Sequence, residues 1–138
     1  MCKKIAFIGC SKKKRTVSCT AREMYKGSLF QKSLTYCLRE GYSVYILSAK
    51  YGLLKLDDKI EPYEETLNKM SKQERREWAT RVREQMVLLG LFENFVFFCG
   101  KNYHEHFEGL KAFDGLPGIG YQLQYISYLI KKQNYAKK

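Results

Sequence analysis

The sequence predicts an α/β domain in three layers, with a mostly parallel central sheet and helices on both faces. Three observations carry that expectation. Short apolar runs rich in β-branched and aromatic residues alternate with longer segments of helical periodicity. Each apolar run ends in glycine or in a polar loop within a few residues. The chain, 138 residues with 45% hydrophobic residues and two prolines, has the size of one ordinary domain.

The elements follow in order. Residues 3–9 (KKIAFIG) read as a buried strand closed by Gly9 and followed by the polar, basic loop CSKKKRTVSCTAR. Ser28 with Gln31 is a capping-box pattern, and Phe30, Leu34, Cys37 and Leu38 then recur at helical spacing until Gly41. Residues 43–49 (SVYILSA) form a second short strand. Ser71 with Glu74 repeats the capping-box pattern, opening a helix with Trp78, Val82, Met86 and Leu89 along one face before Gly90. Residues 95–99 (FVFFC) are a third buried strand, broken at Gly100. Residues 103–113 read as a helical stretch, Gly115 to Gly120 (GLPGIG) as a turn, and residues 121–133 as the final helix. The expected organisation is one domain, 1–138, with a sheet core and its ligand loops in 1–100 and a C-terminal helical hairpin in 101–133.

Twenty-five Lys and Arg against 14 Asp and Glu leave a formal charge of +11, which biases the protein towards polyanions, with a merely well-solvated surface as the lesser reading. The distribution is uneven. Residues 1–22 hold seven bases (Lys3, Lys4, Lys12, Lys13, Lys14, Arg15, Arg22) and no acid, and a second cluster (Lys131, Lys132, Lys137, Lys138) closes the chain. The stretch 56–84 is mixed in sign. No apolar run approaches the ~18 residues of a membrane span, and the start is too short in apolar residues for a signal peptide, so the expectation is a cytoplasmic protein with no membrane contact. The five cysteines are odd in number without a C-x-x-C pair, which suits reduced thiols. His104 and His106 with Cys99 suggest a metal set, but H-x-H on a helix turns the rings about 200° apart, so neither metal nor cofactor is expected.

In a sheet of this kind ligands sit beyond the carboxyl ends of the strands, so the loops after Gly9, Ala49 and Cys99 should converge on one site. The first loop, with Cys10, Ser11, Lys12, Lys13 and Lys14, combines a hydroxyl, turn amides and ammonium groups into an anion cradle, although it lacks the Walker glycine spacing. Cys10 is either a nucleophile activated by lysines or a small filler at the strand end. In the second, Lys50 faces the crevice or a carboxylate partner, while Tyr51 and Tyr63 offer stacking faces and phenolic donors for a base or sugar. Gly52 supplies an unusual backbone angle, and a structural turn capped by the tyrosines explains the same residues. Gly100 and Tyr103 bring in the third loop.

The run LSAKYGLLKLDDKIEPYEETL (residues 47–67) resembles the signature of the YaaA peroxide-stress family and a related group of small proteins. In them a strand ends in L-S-x-x-Y-G-L-L and a Pro-Tyr pair follows about eight residues later. The opening GCSKKK and the stretch AREMYKGSLF (residues 21–30) resemble the small group too. The resemblance implies that Ser11, Lys12, Tyr25, Ser48, Lys50, Tyr51, Gly52, Pro62 and Tyr63 line a shared site, and it implies a part in DNA protection or the oxidative-stress response. Leu56 departs from the pattern, which usually has proline at or near that position. The Pro-Gly-Ile-Gly turn also resembles the hairpin of helix-hairpin-helix DNA-binding elements, in which Gly118 and Gly120 let a phosphate approach the amides of the next helix; a glycine-rich start that permits tight packing is the other explanation.

The leading expectation is therefore a protein that binds nucleic acid, DNA above all, or a nucleotide. Ser11, Lys12, Lys14, Gly118 and Gly120 hold phosphates, Tyr51 and Tyr63 take a base or sugar, and Lys50 orients it. An alternative is an enzyme acting on a nucleobase or N-glycosidic bond, with Lys50, Tyr51 and Asp58 as the residues of the chemistry; Asp57, Glu61 and Glu64 are further carboxylates, and spacing selects none of them. A second alternative is a small phosphate or nucleotide sensor. The sequence sets no oligomeric state.

Overall fold

A computed structural model of the chain describes residues 4–136. Lys3, Lys137 and Lys138 of the basic clusters, and Cys2, lie outside the described residues. In chain order the elements are β1 (Ile5–Gly9), β2 (Cys19–Thr20), α1 (Ala21–Met24), α2 (Ser28–Arg39), β3 (Ser43–Ser48), β4 (Gly52–Lys55), β5 (Lys59–Ile60), a 3-10 turn (Leu67–Lys69), α3 (Lys72–Leu88), β6 (Phe95–Phe98), α4 (Lys101–His104), β7 (Leu110–Lys111) and α5 (Gly118–Ala136).

The main sheet has the order β4-β3-β1-β6-β7. β1 lies at its centre, parallel to β3 (Ile5 opposite Ser43 through Gly9 opposite Leu47) and to β6 (Ile5 opposite Phe95 through Ile8 opposite Phe98). β7 extends the parallel run beyond β6, and only β4 is antiparallel. The central strands are near-continuous apolar runs because helices cover both their faces. Phe97 and Phe98, neighbours on β6, point to opposite faces. Phe97 stacks on Phe7 and Phe107, and Phe107 meets Trp78 of α3. Phe98 meets Tyr36 of α2 and Phe113, which in turn meets Tyr125 of α5. Thus α3 covers one face, and α2 with α5 covers the other, as the three-layer expectation requires.

α2 and α5 run parallel. Lys32 donates to Ser127 (2.8 Å), Arg39 to Asn134 (2.9 Å) and Gln133 to the Tyr36 carbonyl (3.0 Å), nearly constant offsets of 95, 95 and 97 residues. α2 follows β1 and runs back along the sheet, so both helices begin at the end where β1, β3 and β6 finish. No helix among the described residues is long and apolar enough to cross a membrane.

Three local expectations are corrected. Residues 103–113 are not a helix: α4 stops at His104, and Leu110–Lys111 pairs with β6 instead. Tyr103 and Phe107 mimic helical spacing, but Gly109 takes φ +143° and brings the backbone against Phe95, where a Cβ would lie 2.9 Å from the Phe95 carbonyl oxygen. The glycine-rich turn therefore follows a strand, and the expected helical hairpin over 101–133 does not form. α5 starts at Gly118 itself, whose φ of +80° only glycine adopts without strain. Ser28 does not cap α2 either; Gly27 is the N-cap, and the Gln31 amide donates to the Tyr25 carbonyl at 2.6 Å.

Candidate functional site

The loop after β1 leads to α2 on one face, whereas the loop after β6 leads through α4 to Phe107 on the other. Loops that part in this way leave a crevice between the carboxyl ends of their strands. Cys10 and Tyr103 sit there, with Sγ and Oη 3.4 Å apart. Gly9 lets the two strand ends close, since a Cβ on it would come within 2.8 Å of the Cys99 Cβ.

Beside the crevice lies a buried hydroxyl network. The Ser48 hydroxyl donates to Tyr63 Oη at 2.8 Å, and the Tyr63 and Tyr25 hydroxyls are 2.6 Å apart. Ser48 Oγ also accepts the Tyr51 N–H (3.0 Å), and its carbonyl accepts the Trp78 indole N–H (2.8 Å). Burial, reinforced by neighbouring Cys10, pushes the phenols of Tyr25, Tyr63 and Tyr103 well above the ordinary tyrosine value, so all three remain neutral donors at physiological pH. Burial likewise raises the Cys99 thiol.

This network corrects one expectation for Tyr63. Its ring is 6% exposed, carries the Lys14 ammonium 4.5 Å from its centroid, and meets Tyr25 and Tyr51 in T-shaped contacts. It offers no open face to a base. Tyr51 is half-buried, its hydroxyl accepts the Glu61 N–H at 3.2 Å, and the exposed Lys50 ammonium lies 5.4 Å from its ring.

The basic loop is laid across the start of α2 by pairing. Lys14 forms an antiparallel bridge with Tyr25, Lys26 N–H donates to the Lys13 carbonyl (2.9 Å), and Arg15 N–H donates to that of Met24 (2.9 Å). Ser11 Oγ donates to the Lys13 carbonyl (2.7 Å) and accepts the Gly27 N–H (3.2 Å). Lys12, Lys13 and Lys26 remain exposed, and Lys50 and Lys101 add exposed cations at the ends of β3 and β6. α2 has no side-chain cap and no acid in its first turn, so its free amides and the positive end of its dipole face this lysine rim.

Gly118 and Gly120 open α5 at the same end of the sheet, both exposed, again with no acid in the first turn. A Cβ at either position would meet nothing within 4 Å. Tight packing inside the protein therefore does not explain them.

The remaining expected residues separate. Asp58 belongs to the β4–β5 turn, where its carboxylate accepts the Lys55 N–H (2.8 Å) and its carbonyl the Ala21 N–H (2.8 Å). Lys55 is three residues along β4 from Gly52, about 10 Å of strand from the end where Lys50 and Tyr51 lie. The three residues expected to share the chemistry thus do not meet. Gly52 has φ +76° and leaves room for Gln85, which accepts the Leu53 N–H (2.9 Å) and donates to the Tyr51 carbonyl (3.3 Å). Pro62 is exposed, and Gly100 is the N-cap of α4.

The sequence also hid a charged cluster, with Arg75 of α3 3.5 Å from Glu105 and His106 3.1 Å from the same carboxylate. It borders a hollow of about 400 Å³ lined by Glu105 to Gly109 and Lys111. Only the pairing of Arg75 with a residue thirty positions away creates it, so no local pattern announced it. Burial lowers the His104 imidazole below the ordinary value, and among the described residues no three His, Cys, Asp or Glu side chains are grouped to hold a metal.

Fold and site together define a class: a parallel α/β domain with a strand-end crevice, a buried tyrosine-serine network and a cationic rim. Residues 5–128 match the family of unknown function DUF6884, and the chain belongs to that family. Comparison with curated proteins and with solved structures found no match.

Proposed function

We propose that the protein is a cytoplasmic nucleic-acid or nucleotide-binding protein that holds phosphates at the carboxyl end of its sheet. One observation carries this. The acid-free loop after β1 and the starts of α2 and α5 open at one end of the molecule, and neither helix has an acid in its first turn. Backbone amides, helix dipoles and lysines then act on the same anion, a combination that holds a sugar-phosphate chain without reading its sequence. The openness of Gly118 and Gly120 supports approach from outside. The resemblance of residues 47–67 to the YaaA family agrees with DNA as the polymer and with a role in its protection under oxidative stress.

The test is fluorescence anisotropy with a labelled DNA oligonucleotide across a salt series. Affinity should fall steeply with salt, and Lys12→Gln with Lys13→Gln should flatten the slope by about 1.4 to 1.8 in log–log units. The same charge removed from α3, at Lys72 and Arg76, should change it far less, and Gly120→Glu should weaken binding severalfold. Affinity independent of salt, or loop variants that bind like the parent, would overturn the proposal.

A further inference from the structure

The outer face of α5 carries a row of tyrosines, of which Tyr125 also meets Phe113 at its edge while Tyr121, Tyr128 and Tyr135 make no ring contact with another aromatic among the described residues. At 100° per residue Tyr121, Tyr125, Tyr128 and Tyr135 fall within an arc of about 80°, with Lys132 in its middle. The opposite face holds Gln122, Ile126 and Gln133, all buried, with Gln122 bonded to the Leu116 carbonyl and Gln133 to that of Tyr36 in α2. The tyrosines are 58%, 37%, 55% and 83% exposed, an outward aromatic stripe among Gln and Lys side chains. The Lys132 ammonium lies 5.9 Å from the Tyr128 ring. Residues 118–136 contain no Asp or Glu, and neither do residues 28–39 of the adjoining α2.

We infer that this stripe is a stacking track for single-stranded nucleic acid, leading along α5 to the strand-end site; the inference rests on the phosphate-binding role proposed there. Charge chooses the occupant. A second copy of this chain, or another protein, would bury Lys132 at the centre of the contact, where lysine is depleted in protein interfaces, and the stripe supplies no carboxylate to pair with it. A polyanion meets the same lysine, and Lys131 beside it, favourably. Tyrosine faces accept any base, and each stacked base contributes substantially without sequence preference. Tyr121, Tyr125 and Tyr128 succeed one another by about 4.5 to 6 Å along the axis, so neighbouring bases of an extended strand can engage neighbouring rings. A duplex keeps its bases stacked internally and gains only the phosphate contacts.

The experiment compares labelled oligothymidylate and oligouridylate of about 20 nucleotides with a mixed-sequence duplex of equal length. The proteins are the full chain, Tyr121→Ala with Tyr128→Ala, Lys131→Gln with Lys132→Gln, and Lys12→Gln with Lys13→Gln. The tyrosine variant should lose about thirtyfold or more in affinity for the single strands, keep its salt slope, bind duplex unchanged and retain its melting temperature. The α5 lysine variant should flatten the single-strand slope by about 1.4. Relative affinity for the two oligonucleotides assigns the track to DNA or RNA. Unchanged single-strand binding by the tyrosine variant, or no single-strand binding by the parent, overturns the track. So does a parent dimer, seen in sedimentation, that the tyrosine substitutions split. If the loop variant loses affinity and the tyrosine variant does not, the track alone fails; the reverse result removes the strand-end reading and leaves the track.

Discussion

Helices α2 and α3 begin on the same pattern, Ser28-Leu29-Phe30-Gln31 and Ser71-Lys72-Gln73-Glu74, and fold it differently. At α3 the box closes: Ser71 Oγ accepts the Glu74 N–H at 3.1 Å, and the Glu74 carboxylate accepts the Ser71 N–H at 2.9 Å. At α2 the chain arrives tied to the basic loop, with Gly27 bonded to Ser11 and Gln31 turned back to the Tyr25 carbonyl, so Ser28 is already inside the helix. One helix start is sealed by its own side chains and the other is left open beneath a ring of lysines. A local rule broken at one of two equivalent places, with the orphan amides facing cations, is the feature on which the proposed phosphate site rests.

The two starts should respond to pH in opposite directions, and the alkaline response is the larger. Tyr25 and Tyr63, beneath α2, have phenols raised above 10.0 by burial, as does Tyr103 in the crevice. Their contribution is complete while the unfolded phenols are protonated. As pH rises past 10 the unfolded chain loses protons that the folded chain keeps, and stability falls. The raised thiols of Cys37 and Cys99 start the same loss near 9. Circular dichroism should show cooperative unfolding setting in above about pH 9 to 10. Tyr63→Phe should remove part of that pH dependence while lowering stability at pH 7, and an alkaline profile identical to the parent's would contradict the buried network.

Next in size is the anchor of the closed helix. Trp78 is 1% exposed, packs edge-on against Tyr103 and Phe107, and bonds to the Ser48 carbonyl. Trp78→Ala should cost about 3–5 kcal/mol, lowering the melting temperature by about 10 °C or more. At the open helix the corresponding contact is closer and smaller. A Cβ on Gly27 would lie 2.8 Å from the Ser11 Cβ, so Gly27→Ala must push the loop away and lose the Gly27–Ser11 bond. The expected cost is about 1–3 kcal/mol in urea unfolding, accompanied by weaker oligonucleotide binding. A stability loss with unchanged binding would detach Ser11 from the phosphate site.

What the sequence made legible follows the same division. β1, β3 and β6 were readable because central parallel strands need unbroken apolar runs, and α3 because its cap and its Trp78 face are local. β7 was not, because Leu110 and Lys111 have no strand pattern of their own and become a strand only by pairing with the edge of β6. The candidate strand-end site could be placed from the loops after Gly9, Ala49 and Cys99, but its inner geometry could not. Whether Tyr63 is a ligand face or a buried partner depends on Tyr25, 38 residues away, and on Lys14. Asp58 looked available because a carboxylate committed to a turn amide has the same sequence as a free one.

The smallest effects give the sharpest contrast between the two helix starts. Ser71→Ala removes a formed cap and should cost about 1 kcal/mol. The Ser71 bonds hold the Glu74 carboxyl below its ordinary value, so what they add is present above about 4.5 and fades as pH falls and the carboxylate takes up its proton. Ser71→Ala keeps the backbone N–H that the carboxylate accepts, so the fading part is read with Glu74→Ala, whose deficit against the parent by urea titration should shrink between pH 5 and pH 3. Ser28→Ala changes a serine in the same Ser-x-x-Gln/Glu pattern but with no capping bond, and should stay within about 0.5 kcal/mol at every pH. Equal costs at the two serines would mean that α2 is capped in solution and its amides are not open to a phosphate; a cost at Ser71 alone leaves them facing Lys12, Lys13 and Lys26.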